Sequence, residues 1–278
     1  IHYMELQTKV NIASSHFKIA PRHNLLFVGS CFADNIGRKF KEWQFRTIAN
    51  PYGVMYNPAS VLHTVKRWSQ ELHVDADTPR SCPDVAIFTL GTNHVYILNE
   101  TGEIVDNCQK RPQKLFTEKI LGVTDCADYL CQAVDILRSL NTSVQVIITV
   151  SPIRYAKYGF HASQLSKASL LLAAEEVTQK YNCVTYFPAY EIVNDELRDY
   201  RFYKPDMLHP SDQAVDYIFQ RFCDTYLAED SIRFMQEWLP IQKALTHRPF
   251  NPEDPEYKRF INNARKKEEA FKKKWLCR

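Results

Sequence analysis

Short, wholly apolar runs alternate along this chain with longer stretches whose apolar residues recur at helical spacing. Leu25–Gly29 (LLFVG) is apolar throughout and ends in glycine, as a strand buried on both faces would. In the stretch that follows, Phe32, Ile36, Phe40 and Trp43 fall on one helical face. Asn57-Pro58 predicts a second helix, with Asn as cap and Pro at the first position, running to about Leu72. Val85–Leu90 and Val144–Val150 read as further buried strands, and Val184–Phe187 as a shorter one. His94–Leu98 and Ile104–Val105, around Thr101-Gly102, read as a β-hairpin. Helices are expected from Thr124, as cap, to about Leu140, from about Ser163 to Tyr181, and from Pro210 to Tyr226.

Strands alternating with helices of this length predict an α/β domain: a central parallel sheet with helices on both faces, over residues 1–227. The β/α rhythm stops near Ala228. Residues 228–278 are expected to form a C-terminal helical appendage packed back on the domain, with a charged helix from about Tyr257.

Composition adds three constraints. With 278 residues, 45% hydrophobic and 24% charged, the chain is ordinary for a globular protein. The formal charge of +3 is too small to suggest nucleic acid, and it is uneven: residues 258–278 hold nine Lys or Arg against two Glu, without an aromatic stripe. No apolar run approaches a membrane span and the opening residues carry no signal-peptide pattern. The eight cysteines form no C-x-x-C pair and no zinc spacing, which suits reduced thiols in a cytoplasmic compartment.

In an open parallel sheet, ligands bind beyond the carboxyl ends of the strands, so the residues that follow each strand carry the candidate chemistry. Ser30 sits at a strand-to-helix turn after Gly29. It reads equally as a nucleophile beside a helix N-terminus or as the cap of that helix. The G-x-S-x-G elbow is absent. Cys31 is a rival nucleophile at the same helix start, but helix geometry points it about 100° away from Ser30, toward the packed side. Asp206-Met-Leu-His209-Pro210 could supply a general base and the carboxylate that orients it, or only a loop Asp and a capping His. The Asn93 amide and the Gly53 and Ser30 backbone N–H groups are oxyanion candidates. Residues 196–204 (ELRDYRFYK) could bind a polar or anionic substrate or could brace Asp206. Arg154, Arg201, Tyr203 and His94 are the candidate substrate contacts.

Gly29-Ser30-Cys31-Phe32-Ala33 spells GSCFA, and the chain resembles the bacterial GSCFA family, itself related to the SGNH/GDSL hydrolases. Collinear matches follow at Asn50-Pro51-Tyr52-Gly53, Tyr56-Asn57-Pro58, Thr89-Leu90-Gly91-Thr92 and Asn107-Cys108-Gln109-Lys110. Others fall at Ser151-Pro152-Ile153-Arg154, Ser166-Lys167-Ala168 and Glu196 to Pro210, so that residues 24 to 226 are spanned. The resemblance implies a three-layer flavodoxin-like (SGNH hydrolase-like) fold. It also implies Ser30 as nucleophile, Asp206 and His209 as its partners, and Gly53 and Asn93 as oxyanion donors. Two departures stand out: Asn93-His94 replaces the family's apolar or aromatic residues and moves toward the SGNH pattern, and Gln109 takes the place of a histidine, which implies an altered substrate or lost activity.

The function expected is a metal-independent serine esterase without cofactor, removing a short acyl group, foremost acetyl, from a small polar molecule such as an acylated sugar. The same acyl-enzyme would serve an acyltransferase, and a non-catalytic binding module on the same fold is the alternative from outside enzymology.

Overall fold

The computed structural model describes residues 7–72, 82–106, 108 and 110–276, so Gln109 lies outside the described residues. In chain order its elements are β1 (Leu25–Gly29), α1 (Cys31–Glu42), β2 (Thr47–Ala49), α2 (Pro58–Leu72), β3 (Val85–Leu90), β4 (His94–Leu98), β5 (Ile104–Val105) and β6 (Phe116–Ile120). There follow α3 (Val123–Leu140), β7 (Gln145–Val150), α4 (Gly159–Lys180), β8 (Val184–Tyr186), the single turn α5 (Ala189–Glu191), α6 (Asp212–Tyr226), α7 (Glu229–Leu245) and α8 (Pro255–Trp275).

Five strands form a wholly parallel sheet in the order β2-β1-β3-β7-β8. Successive side chains of a strand face opposite ways, and both faces here are apolar. Leu26, Val28, Phe88 and Ile148 pack against α2, α3 and α4, while Leu25, Phe27, Ile87 and Ile147 pack against the α1 and α6 side. This is the three-layer flavodoxin-like, SGNH-hydrolase-like architecture expected.

The hairpin β4–β5 gains a third strand, β6, that the residue pattern does not announce: in FTEKI only Phe116 is buried. β2 is also absent from the reading, being three residues long with no fully buried position. Three helix starts differ from expectation, the first being α4, which begins at Gly159 rather than near Ser163. Asp125 accepts from the Gly122 N–H (3.3 Å), so α3 begins at Val123 and Thr124 lies inside its first turn. Pro210 does not open α6. Ser211 caps it, accepting from the Ala214 N–H (3.2 Å), and Pro210 pairs instead with Tyr203.

The C-terminal helices pack on the α1 face. Phe234 meets Phe45 (5.1 Å) and Phe271 (4.8 Å), and the Trp238 indole donates to the Glu42 carbonyl (2.9 Å). The basic end of α8 is tied down by Lys274 on Glu237 (2.7 Å) and by Arg22, which donates to the Trp275 carbonyl (3.0 Å). Among the described residues no helix is long and apolar enough to cross a membrane.

Two charged residues, Glu196 and Lys167, are buried among the described residues. Lys167 of α4 is 2% exposed, and its Nζ donates to the carbonyls of Gly91 and Ser151, at 2.7 Å each. Those oxygens lie just past the ends of β3 and β7, where the ladder no longer serves them. Burial pushes the amine down to about 7, so it is far easier to deprotonate in the folded than in the unfolded protein. The unfolded chain therefore binds more protons between pH 7 and 10.5, and stability rises across that window by at most ~1.4 kcal/mol per pH unit. Lys167→Met leaves two carbonyls unpaired and should cost about 2 kcal/mol or more. It also removes the pH gain, so in urea melts the gap between wild type and mutant should widen from pH 7 to pH 9. A gap that stays constant would contradict this account.

Candidate active site

The carboxyl edge of the sheet is shaped first by Gly29. Its φ is +147°, and a Cβ there would stand 2.2 Å from the Thr89 carbonyl oxygen, so only glycine permits β1 and β3 to close up at this point. Asn50 accepts from the Gly29 N–H (2.8 Å) and donates to Asp34 of α1 (2.8 Å), which fixes the turn from both sides. Ser30 follows in extended conformation. It is 0% exposed, its Oγ accepts from the Phe32 N–H (3.3 Å), and it shares a hydrogen bond with the Thr89 hydroxyl (3.2 Å). Of the two readings open for Ser30, the cap is the one its contacts display.

Cys31 begins α1 and is half-buried, with its Sγ 3.7 Å from the Tyr56 hydroxyl. It borders the core under α1 but keeps an open side that Ser30 lacks, so it is not turned wholly toward the packed side. Burial above all, then the Cys31 contact and the nearby Asp34 carboxylate, push the Tyr56 phenol up to about 12, so it remains protonated. Tyr56 packs edge-on against Tyr155 (6.2 Å between ring centres). Burial also pushes Tyr155 upward, and its hydroxyl is enclosed without a hydrogen-bond partner. Gly91 leaves the room that this hydroxyl occupies, since a Cβ there would meet it at 2.4 Å.

The segment before α6 folds around one carboxylate. Asp206 Oδ1 accepts from the backbone N–H groups of Leu208 (2.8 Å) and His209 (3.0 Å), and Oδ2 accepts from His209 Nδ1 (2.7 Å). Met207, between them, takes φ +58° to close the turn. The two backbone donors, with the imidazole behind them, hold Asp206 down at about 2. His209 Nε2 has no partner among the described residues, and the ring is 39% exposed. Arg154, just past β7, locks the turn to the sheet edge: its N–H donates to the Leu208 carbonyl (3.0 Å) and its Nη1 to that of Met207 (2.9 Å). The guanidinium lies over Phe160 (4.1 Å) and Tyr203 (5.4 Å).

The other expected residues divide. Arg154 and Tyr203 line a cavity of about 270 Å³ with Gln164, Asn194, Asp199 and Tyr200. Arg201 stays outside it, paired with Asp199 at 3.4 Å and largely exposed. His94 belongs to a separate cluster in which Glu118 accepts from it (3.1 Å), Tyr158 stacks on it (3.9 Å) and Lys157 pairs with Glu118 (3.3 Å). Each expected oxyanion donor already has an acceptor: Ser30 N–H the Thr89 carbonyl (3.0 Å), Gly53 N–H the Asn50 carbonyl (2.9 Å), and Asn93 Nδ2 the Leu121 carbonyl (2.8 Å). Lys167, Tyr56 and Tyr155 gave no signal of their own as site residues. Lys167 was visible only as part of a matching segment, and Tyr155 not at all.

The chain belongs to the GSCFA family, whose model matches residues 24–82 and 76–222, and a second model, the C-terminal domain of GSCFA domain proteins, matches residues 238–276. Among solved structures it is similar to a carbohydrate esterase family 3 protein from Talaromyces cellulolyticus. That match has 11% identity and a TM-score of 0.47, over 78% of this chain and 99% of that one. It is also similar to a catalytic mutant of an acetylxylan esterase from Geobacillus stearothermophilus, with 13% identity and a TM-score of 0.43, over 75% and 96%. No curated protein matches the chain.

Asp206→Asn tests the turn. The amide can still accept from the two backbone N–H groups, but its NH₂ would face His209 Nδ1 and enforce the wrong tautomer. For the ester hydrolysis proposed below, a fall of about 10²–10⁴ in kcat is expected, with the fold intact by circular dichroism. Because Asp206 is ionised far below neutrality, the acid limb of the wild-type rate profile should not lie in the range where ordinary carboxylates titrate. A limb near pH 4 that Asp206→Asn abolishes would contradict this assignment.

Proposed function

We propose that this protein is an acyl-ester hydrolase acting through a nucleophile, a histidine and a carboxylate, by a route that calls for no metal or cofactor. The observation that carries the reading is the Asp206–His209 turn. A carboxylate held ionised by backbone donors fixes Nδ1–H, and the imidazole is left with Nε2 uncommitted and accessible. A histidine so oriented is a general base, and it becomes the general acid once it holds the proton. The nucleophile comes from the turn at the start of α1, at the same carboxyl edge of the sheet. Its proton passes to His209 as the acyl carbon is attacked, and then to the departing alcohol. Water releases the acyl group in the second half of the cycle.

The cavity beside the turn favours a polar substrate with a short acyl group. It is small, and Arg154, Asn194, Gln164 and two tyrosines offer hydrogen bonds and flat rings to a hydroxyl-rich molecule such as an acylated sugar.

p-Nitrophenyl acetate, butyrate and octanoate test the reading. The acetate should be turned over fastest, and His209→Ala should lower its kcat by about 10²–10⁴. Equal rates for wild type and His209→Ala would remove the general base, and with it this function.

A further inference from the structure

We infer that the nucleophile is the Cys31 thiol, with Ser30 serving as the cap that positions it; the inference rests on the hydrolase reading above. Three observations meet at this point. Ser30 Oγ is 0% exposed and committed to the Phe32 N–H and the Thr89 hydroxyl, so an incoming carbonyl carbon would have to displace the contacts that start α1. Cys31 is the next residue, with an open side and a protonated phenol, Tyr56, 3.7 Å from its sulfur.

The second observation concerns the oxyanion. A nucleophile at residue 30 would use the Ser30 N–H, which is taken by the Thr89 carbonyl. The Cys31 N–H is the first of α1 and has no acceptor within its own helix, so it is the donor available to an oxyanion formed on Cys31. The third is the enclosed hydroxyl of Tyr155, which has no partner and whose ring packs against Tyr56. A free buried donor is costly unless something is meant to use it. Tyr155 also adjoins Arg154, whose backbone and guanidinium hold the Asp206–His209 turn, so both halves of the site are anchored through neighbouring residues.

The step balances without a further reactant. Cys31 Sγ bonds to the acyl carbon while its proton passes to His209 Nε2. The C–O bond to the alcohol breaks and the alkoxide takes that proton. Water then adds to the thioester, giving a proton to His209, and the C–S bond breaks with return of the proton to sulfur. The intermediate is a thioester, in place of the oxygen ester that a serine enzyme would carry.

Two measurements on the full chain decide this. In the first, wild type is acid-quenched during turnover of p-nitrophenyl acetate and the tryptic peptide His23–Arg38 is weighed. An acetyl group that neutral hydroxylamine removes, still present in Ser30→Ala and absent from Cys31→Ala, is expected. Cys31→Ala should lose about 10³-fold or more in turnover. A label that resists neutral hydroxylamine, or one lost in folded Ser30→Ala and kept in Cys31→Ala, overturns the inference while leaving the hydrolase reading intact.

The second measurement needs no ester. Iodoacetamide should alkylate Cys31 in wild type at least about tenfold faster than in His209→Ala. Equal rates would show that His209 does not act on this thiol, and the inference falls. Hydrolysis unchanged by His209→Ala defeats the hydrolase reading itself, and the inference with it.

Discussion

Two hydrogen bonds from one buried amine hold the working edge of this molecule together. A parallel sheet leaves carbonyl oxygens unserved where its strands stop, and the two central strands, β3 and β7, stop side by side. Lys167 reaches up from α4 and takes the oxygens of Gly91 and Ser151 together. From Gly91 the chain of contacts runs to Tyr56, whose carbonyl accepts the Gly91 and Thr92 N–H groups, and from Tyr56 to Cys31. From Ser151 it runs three residues on to Arg154 and the Asp206–His209 turn. The amine is thus a brace for the two loops, alongside the packing of the Tyr155 ring against Tyr56.

The rest of the body asks little of polar chemistry. Each central strand is apolar on both sides, and the two cores divide its residues by alternation alone. The carboxyl edge is specified by close fits: Gly29 admits the Thr89 carbonyl, Gly91 admits the Tyr155 hydroxyl, and Asn50 ties β1 to α1. The C-terminal helices extend the α1 core through Phe234, Trp238 and Phe271, on the face of the sheet that carries α1.

What the residue pattern could convey follows from this division. The apolar strands and the amphipathic helices were legible because burial imposes a period on the sequence. The short strands β2 and β6 were not, because a strand held mainly by its ladder and exposed on its side chains leaves little periodic trace. Pro210 imitates a first helical residue, and only the competing cap at Ser211 moves the start of α6 two residues onward. The Asp206–His209 pair was legible because a D-x-x-H turn is local. Lys167 was not: a lysine within a helical stretch reads as a solvated position, and only the fold shows that two strand ends lie above it. Asn93 was legible as an amide near the site, but its partner, the Leu121 carbonyl, is 28 residues away, just past the end of β6.

Ser30 shows how one residue type can carry two readings. The property that makes a serine attractive at a strand-to-helix turn, a hydroxyl near the first N–H groups of a helix, is also the property that makes it a cap. The two roles compete for the same lone pairs, and at Ser30 the cap contacts and the Thr89 hydroxyl have taken them. A cap has a further consequence. By fixing the backbone at Ser30 it fixes where the next side chain, Cys31, leaves the helix. The Asp206–His209 turn is held more lightly: it is exposed, and it depends on Asp206 from within, on the pairing of Tyr203 with Pro210 at its flank, and on Arg154 from below. Arg154 is therefore the residue that joins the end of β7 to the turn that carries His209.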